Sequence, residues 1–197
     1  KTEVKLEYLI LNFISAIISI NLSQTLFAIV LISSLFLSIY SASPKKIPLI
    51  GNIVIALLTG LAFIYGGFAS GTPVAAIVPA VFAFLINLIR EIVKDIQDIE
   101  GDTKAGVITF PIKFGFKKSK ILILIITISL ILYTLYPFIT ELYKIEYFVV
   151  VMVFINPLLI LSLKFLFDSK NENNLSVVSN MLKLNMVLGL IAIYLGK

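Results

Sequence analysis

The chain has 197 residues, of which 59% are hydrophobic and only 14% are charged, and its mean hydropathy is +1.07. These values lie outside the range of soluble globular domains, so they predict a polytopic membrane protein. The absence of cysteine and histidine from the sequence excludes thiolate and imidazole metal sites, and it excludes nucleophiles of those two residue types.

Apolar runs of roughly 18 to 24 residues, long enough to cross a bilayer, follow one another along the chain. Only helices and closed barrels satisfy the backbone in lipid, and these runs lack the alternation typical of barrel strands. Seven helices are predicted, at about residues 4–21, 24–42, 50–69, 73–96, 119–139, 146–167 and 174–195. The predicted fold is therefore an all-α transmembrane bundle that forms one membrane-embedded domain over residues 1–197.

The distribution of basic residues predicts the orientation of this bundle. With Lys1 on the cytoplasmic side, fourteen of the sixteen Lys and Arg residues lie on that side, and only Lys144 and Lys197 lie outside. The net charge of +5 therefore indicates membrane topology rather than a nucleic-acid partner. The long polar loop over residues 97–118 then faces the cytoplasm, and long loops are usually functional. Its segment from Phe110 to Lys118 is compatible with a short interfacial helix.

Acidic residues cluster where the fourth predicted helix meets this loop. Five of the eleven carboxylates fall within twelve residues, namely Glu91, Asp95, Asp98, Glu100 and Asp102. Ionisable groups beside a bilayer are costly, so the cluster is a candidate functional site.

The spacing of the polar residues in this region predicts one polar stripe along a helix. Spacings of three and four place them on a common face, which carries Asn87, Arg90, Glu91, Lys94, Asp95 and Asp98. The opposite positions are apolar and can face lipid or neighbouring helices, and they are Leu88, Ile89, Ile92, Val93 and Ile96. Gly101 and Gly106 lie just beyond the stripe and would allow Asp102 and Lys104 to fold back toward it.

Carboxylates that face one another favour a hard cation, and Mg²⁺ is preferred here because it commonly bridges one or two carboxylates to phosphates. The interleaved Arg90, Lys94 and Lys104 supply donors for phosphate oxygens. The chemistry therefore points to a phosphorylated lipid substrate. Two alternatives remain: the charges pair along a solvated helix end, as Glu91 with Lys94, or the helix end forms the mouth of a cation transporter or channel.

The stretch REIVKDIQDIEGDTKAGVITFPIKFG resembles the second aspartate-rich motif of the UbiA-type intramembrane prenyltransferases, with Asp98 and Asp102 as its core pair. In its Arg-Glu and Glu-Gly-Asp details it is most similar to a group within that family, the archaeal digeranylgeranylglyceryl phosphate synthases. Tyr40 to Lys46, followed by Gly51-Asn52, also resembles the basic loop of the family. The family has nine helices and a first aspartate motif, so we expect its first two helices to be absent from this chain.

The resemblance implies a Mg²⁺-dependent prenyl transferase of the cell membrane, with its active site toward the cytoplasm. Mg²⁺ would bind a polyprenyl diphosphate through Asp98 and Asp102, together with the absent first motif. The implied reaction transfers a geranylgeranyl group from its diphosphate to the hydroxyl of geranylgeranylglyceryl phosphate, which forms an ether bond. A quinone or haem precursor is the alternative acceptor.

The implied catalytic residues are Asp95, Asp98 and Asp102. The sequence does not identify the general base, for which Asp95 and Glu91 are the candidates. The implied substrate-binding residues are Asn87, Arg90, Lys94, Lys104, Lys45, Lys46 and Tyr40. Lys45 and Lys46 could instead be simple positive-inside anchors. The allylic cation would lie against aromatic side chains, with Tyr40, Phe63, Tyr65 and Phe68 as candidates. The membrane-embedded asparagines Asn12, Asn52, Asn156 and Asn185 are expected to form interhelical hydrogen bonds.

Overall fold

The computed structural model describes residues 2–42, 47–168 and 172–197. All regular structure in these ranges is helical, which confirms the predicted all-α class. The helices are α1 (Thr2–Leu22), α2 (Gln24–Ala42), α3 (Ile50–Ala69), α4 (Ile77–Gln97), α5 (Ile99–Lys104), α6 (Phe110–Phe114), α7 (Phe116–Ile139), α8 (Ile145–Val150), α9 (Asn156–Asp168) and α10 (Glu172–Leu195). A π-helical turn, Val151–Ile155, joins α8 to α9.

Within the ranges that the structure describes, four helical segments are long and apolar enough to cross a membrane, so the protein is a multi-pass membrane protein. They are Ile50–Ala69, Phe116–Ile139, Ile145–Asp168 and Asn174–Leu195. Shorter apolar helices cover Leu6–Leu22 and Gln24–Ser38 within the described ranges. The fourth predicted span is helical as α4, but its second half carries Arg90, Glu91 and Lys94 and is too charged to qualify. The crossing of the bilayer by all seven predicted segments therefore stays a prediction.

The largest differences from the predicted boundaries lie at the start of α4 and in the loop that follows it. α4 begins at Ile77 rather than at residue 73, because residues 70–76 form turns in which Gly71 has a φ of 75°. The predicted loop over residues 97–118 contains α5 and α6, and α7 already begins at Phe116. The predicted short helix in this loop is thus present as α6. Gly115, with a φ of 84°, makes the sharp turn between α6 and α7.

α4 lies at the centre of the bundle, where it packs against α3, α7 and α10. Its apolar face, opposite the polar stripe, packs against protein and not lipid: Ile89, Ile92, Val93 and Ile96 are all buried. Glycines allow its neighbours to approach closely. A Cβ on Gly60 of α3 would lie 3.0 Å from the carbonyl oxygen of Ala80, and one on Gly189 of α10 would lie 2.7 Å from the ring of Phe82.

The substitution Leu130→Ala will destabilise the protein, whereas Leu132→Ala on the same helix will not. Leu130 is fully buried in the core and Leu132 is 63% exposed, so only the first change leaves a cavity. A cavity of this kind costs about 2–5 kcal/mol. The free energy of unfolding in mixed micelles would measure the difference. Equal losses for both variants would contradict the packing described here.

Candidate active site

The polar stripe of α4 is present, and its first charged residues pair with one another. The Glu91 Oε1 atom accepts hydrogen bonds from Arg90 Nη1 and from Lys94 Nζ, each at 3.1 Å. This is the pairing that the alternative of a solvated helix end predicts for Glu91 and Lys94. The pairing does not extend over the whole stripe, because the next carboxylate along it has a different environment.

Asp95 is buried and is bonded across the helix interface. The side-chain Nδ2 of Asn52, on α3, donates to Asp95 Oδ2 at 2.8 Å, and both residues are only 9% exposed. A buried carboxylate is costly unless polar partners stabilise its charge. This hydrogen bond also confirms the interhelical role predicted for Asn52. It fixes the carboxylate of Asp95 relative to α3.

Asp95 and Asn52 line a recess formed by the end of α2, by α3 and α4, and by the segments before α3 and before α6. Its empty volume is about 340 Å³. Its lining residues are Tyr40, Ile47, Leu49, Gly51, Asn52, Ile55, Glu91, Asp95, Ile108 and Thr109. Tyr40 reaches it because Gly51 has no side chain: a Cβ there would lie 3.0 Å from the Tyr40 ring. The structure therefore brings Tyr40, Asn52 and two residues of the stripe, Glu91 and Asp95, to one place.

Asp98 and Asp102 lie beyond this recess and do not line it. Asp98 joins α4 to α5, and the backbone N–H of Asp102 donates to the Asp98 carbonyl oxygen at 2.8 Å, so the two residues are one helical turn apart. Asp98 is exposed and Asp102 is half-buried. Within the described ranges neither carboxylate forms an ion pair.

The two carboxylates fit one side of a magnesium site. They offer hard oxygen ligands on one turn, and Mg²⁺ is typically held by one or two carboxylates together with substrate phosphates. The described residues contain no group of three or more acidic side chains that could hold a metal by themselves. Asp98 and Asp102 would therefore need further oxygen ligands from a substrate or from another aspartate motif.

The other predicted substrate-binding residues of α4 and α5 lie outside the recess. Asn87 Nδ2 donates to the Ala83 carbonyl oxygen of its own helix at 3.0 Å. Arg90 and Lys94 contact Glu91, which leaves the Arg90 Nε atom buried with no hydrogen-bond partner in the described ranges. Lys104 is exposed at the end of α5. The predicted Lys45 and Lys46 lie outside the described residues.

The remaining aromatic candidates are not part of this recess. Phe63, Tyr65 and Phe68 lie further along α3, and Tyr65 lines a larger, mainly apolar cavity between α1, α2 and α3 with an empty volume of about 1210 Å³. Phe68 is exposed. Of the four aromatic residues predicted to stabilise a cation, only Tyr40 lies at the recess with Asp95.

Three of the four membrane asparagines form the predicted interhelical hydrogen bonds. Besides Asn52, Asn12 accepts from the Ser34 hydroxyl of α2, and Asn156 Oδ1 accepts from Thr134 Oγ1 at 3.1 Å. The prediction is wrong for Asn185, whose buried side-chain atoms have no partner among the described residues.

Thr109 is the site residue that sequence reasoning missed. It reaches the recess because Gly106, with a φ of 70°, turns the chain after α5, while Gly101 remains helical. The Val107 N–H donates to the Asp102 carbonyl oxygen at 2.9 Å and closes this turn. A single threonine in an apolar stretch carries no sequence signal, so its position at the recess is visible only in the tertiary structure.

A sequence model of the UbiA prenyltransferase family matches residues 1–187. The chain belongs to this family. Among curated UbiA relatives, the digeranylgeranylglyceryl phosphate synthase of Methanocaldococcus jannaschii is 37% identical over 166 residues, which are 82% of this chain and 56% of the relative. The synthase of the same name from Methanococcus aeolicus is 33% identical over 186 residues, which are 94% of this chain and 66% of the relative.

A solved structure is also similar to this chain in its fold. It is described as that of digeranylgeranylglyceryl phosphate synthase in membranes, and it superposes with a TM-score of 0.86 at 32% identity. The match covers 99% of this chain and 69% of that chain. This chain thus spans little more than half the length of the Methanocaldococcus relative and about two thirds of the solved structure.

Proposed function

We propose that the enzyme containing this chain transfers a geranylgeranyl group from geranylgeranyl diphosphate to the hydroxyl of geranylgeranylglyceryl phosphate. The observation that carries the proposal is the buried Asp95, held by Asn52 in a recess next to the Asp98–Asp102 turn. This arrangement offers a proton acceptor beside a pair of metal ligands. The similarity to named digeranylgeranylglyceryl phosphate synthases supports the choice of lipid substrates.

In this proposal the Asp98–Asp102 turn holds the diphosphate end of the donor. Magnesium, when bound there with further oxygen ligands, would neutralise charge on the diphosphate. Lys94 has the most exposed cationic side chain of the stripe, and with Arg90, Lys104, Lys45 and Lys46 it supplies donors for phosphate oxygens of both substrates. Asn87, half-buried one turn before Arg90, lies on the same polar stripe of α4.

The transfer breaks the bond between C1 of the geranylgeranyl group and the diphosphate oxygen, and the electron pair leaves with the diphosphate. The acceptor hydroxyl oxygen then forms the new ether bond to C1. Its proton passes to Asp95, which acts as the general base. The ring of Tyr40, at the same recess, faces positive charge that develops on C1.

The membrane arrangement completes the proposal. The helices α1, α2, α3, α4, α7, α8 with α9, and α10 form a single domain that crosses the bilayer seven times. The segment over residues 97–118 would be an active-site loop on the cytoplasmic side, where the positive-inside pattern places it. The family assignment argues against the alternative of a cation transporter or channel.

An assay of the full-length protein in detergent would test the proposed substrates. We expect ether-lipid product from geranylgeranyl diphosphate and geranylgeranylglyceryl phosphate when Mg²⁺ is present. A chelator should stop the reaction, and restored Mg²⁺ should recover it. An aromatic quinone precursor offered as the acceptor serves as the matched control. Turnover on the aromatic acceptor alone would contradict the proposal and favour the alternative acceptor.

A further inference from the structure

Thr109 occupies a position where its side chain normally would have a local partner. It is the residue before α6, with an extended backbone (φ −83°, ψ 168°), and its carbonyl oxygen accepts from the Lys113 N–H. A threonine at such a helix start usually accepts a backbone N–H with its hydroxyl. The hydroxyl of Thr109 makes no such bond.

The Thr109 hydroxyl is also buried without any other partner in the described part of the chain. The residue is 5% exposed, and its Oγ1 atom neither donates nor accepts a hydrogen bond there. A buried hydroxyl left unpaired is unfavourable, and in native proteins such a group commonly serves a ligand or a water molecule. Because Thr109 lines the recess that contains Asp95, this recess is where a ligand could reach it.

The polar groups that line the recess indicate which kind of ligand group it can bind. Glu91 is already neutralised by Arg90 and Lys94, while Asp95 receives a hydrogen bond from Asn52. The Asp95 carboxylate in the lining favours a group that donates a hydrogen bond to it, while the Thr109 hydroxyl can donate to a group that accepts one. A ligand hydroxyl suits both, because it can donate and accept at once.

We infer that this recess is the subsite for the acceptor hydroxyl, and that Thr109 donates to the hydroxyl oxygen while the hydroxyl donates to Asp95. Thr109 then binds the reacting oxygen directly. Asn52 is a positioning residue, which acts by fixing the Asp95 carboxylate against α3. The inference rests on the proposed function, since it assigns one group of the proposed acceptor.

Kinetics of Thr109→Val and Thr109→Ser in the full-length protein test the inference. Valine keeps the shape of threonine and removes its hydroxyl, so KM for the acceptor should rise about tenfold, the usual value of one hydrogen bond. KM for the donor should stay the same. Serine retains the hydroxyl and should restore the acceptor KM. Thr103→Val is the matched control, because Thr103 is exposed on α5 and, among the described residues, bonds only to the Ile99 carbonyl oxygen.

A second measurement changes the ligand instead of the protein. An acceptor analogue that lacks the reacting hydroxyl should inhibit the wild-type protein about tenfold more weakly than an analogue that keeps it. In Thr109→Val this difference should shrink. Equal inhibition of the wild-type protein by both analogues, or an unchanged acceptor KM in Thr109→Val, would overturn the inference. Failure of the wild-type protein to use the lipid acceptor would instead refute the proposed function.

Discussion

Asp98→Asn and Asp102→Asn will each reduce Mg²⁺-dependent prenyl transfer by about a hundredfold to a thousandfold, the usual range for removing one group that stabilises transition-state charge. Asparagine keeps the shape of aspartate but removes the charge that a hard cation prefers. Neither carboxylate forms an ion pair within the described residues, so the change should leave the fold intact. Product formation over a range of Mg²⁺ concentrations measures the effect.

Glu100→Gln provides the matched control for this pair. Glu100 lies on α5 between the two aspartates and is exposed, but the motif resemblance gives it no part in the core pair. It should retain wild-type turnover and an unchanged helical circular-dichroism spectrum. If Asp98→Asn and Asp102→Asn behave like Glu100→Gln, the solvated-helix interpretation of the acidic cluster is the better one.

Asp95→Asn will lower kcat by about a hundredfold to ten-thousandfold, because it removes the proposed general base. Asparagine has nearly the same volume, so packing between α3 and α4 should persist at this buried position. KM for the donor should change little. Steady-state kinetics with each substrate varied in turn measures the effect.

The response to Mg²⁺ separates Asp95 from the Asp98–Asp102 pair. Raised Mg²⁺ should partly recover the activity of Asp98→Asn or Asp102→Asn, whereas it should not recover that of Asp95→Asn, whose defect is in proton transfer. Glu146→Gln, an exposed change in the first turn of α8, serves as a control distant in sequence from the site. Wild-type kcat in Asp95→Asn would exclude Asp95 as the general base.

The long apolar segments made the helices predictable. Leu130 and its neighbours form a long unbroken run, and in lipid such a run has no alternative that satisfies its backbone. The stripe on α4 was also predictable, because contacts such as Glu91 with Lys94 depend only on helical spacing. The start of α4 was less predictable, since it depends on the turn at Gly71.

The spacing of the acidic residues could not predict that Asp95 and Asp98 have different environments. The sequence presents Asp95 and Asp98 as neighbours on one stripe, but Asp95 is buried at the recess and Asp98 is exposed beyond it. The difference depends on α3, which covers the first position and not the second. The partner that decides it, Asn52, is 43 residues away in the chain.

The sequence by itself determined the membrane environment, the all-α class, the polar stripe and the resemblance of the Asp98–Asp102 segment to an aspartate motif. These properties follow from composition and from contacts within three or four residues, which local spacing encodes. Only the tertiary structure decided that Asp95 pairs with Asn52 and that the unpaired hydroxyl of Thr109 lies at the same recess. The physical reason is that these contacts depend on how α3 packs against α4 and on the turn at Gly106, and no local pattern specifies that packing.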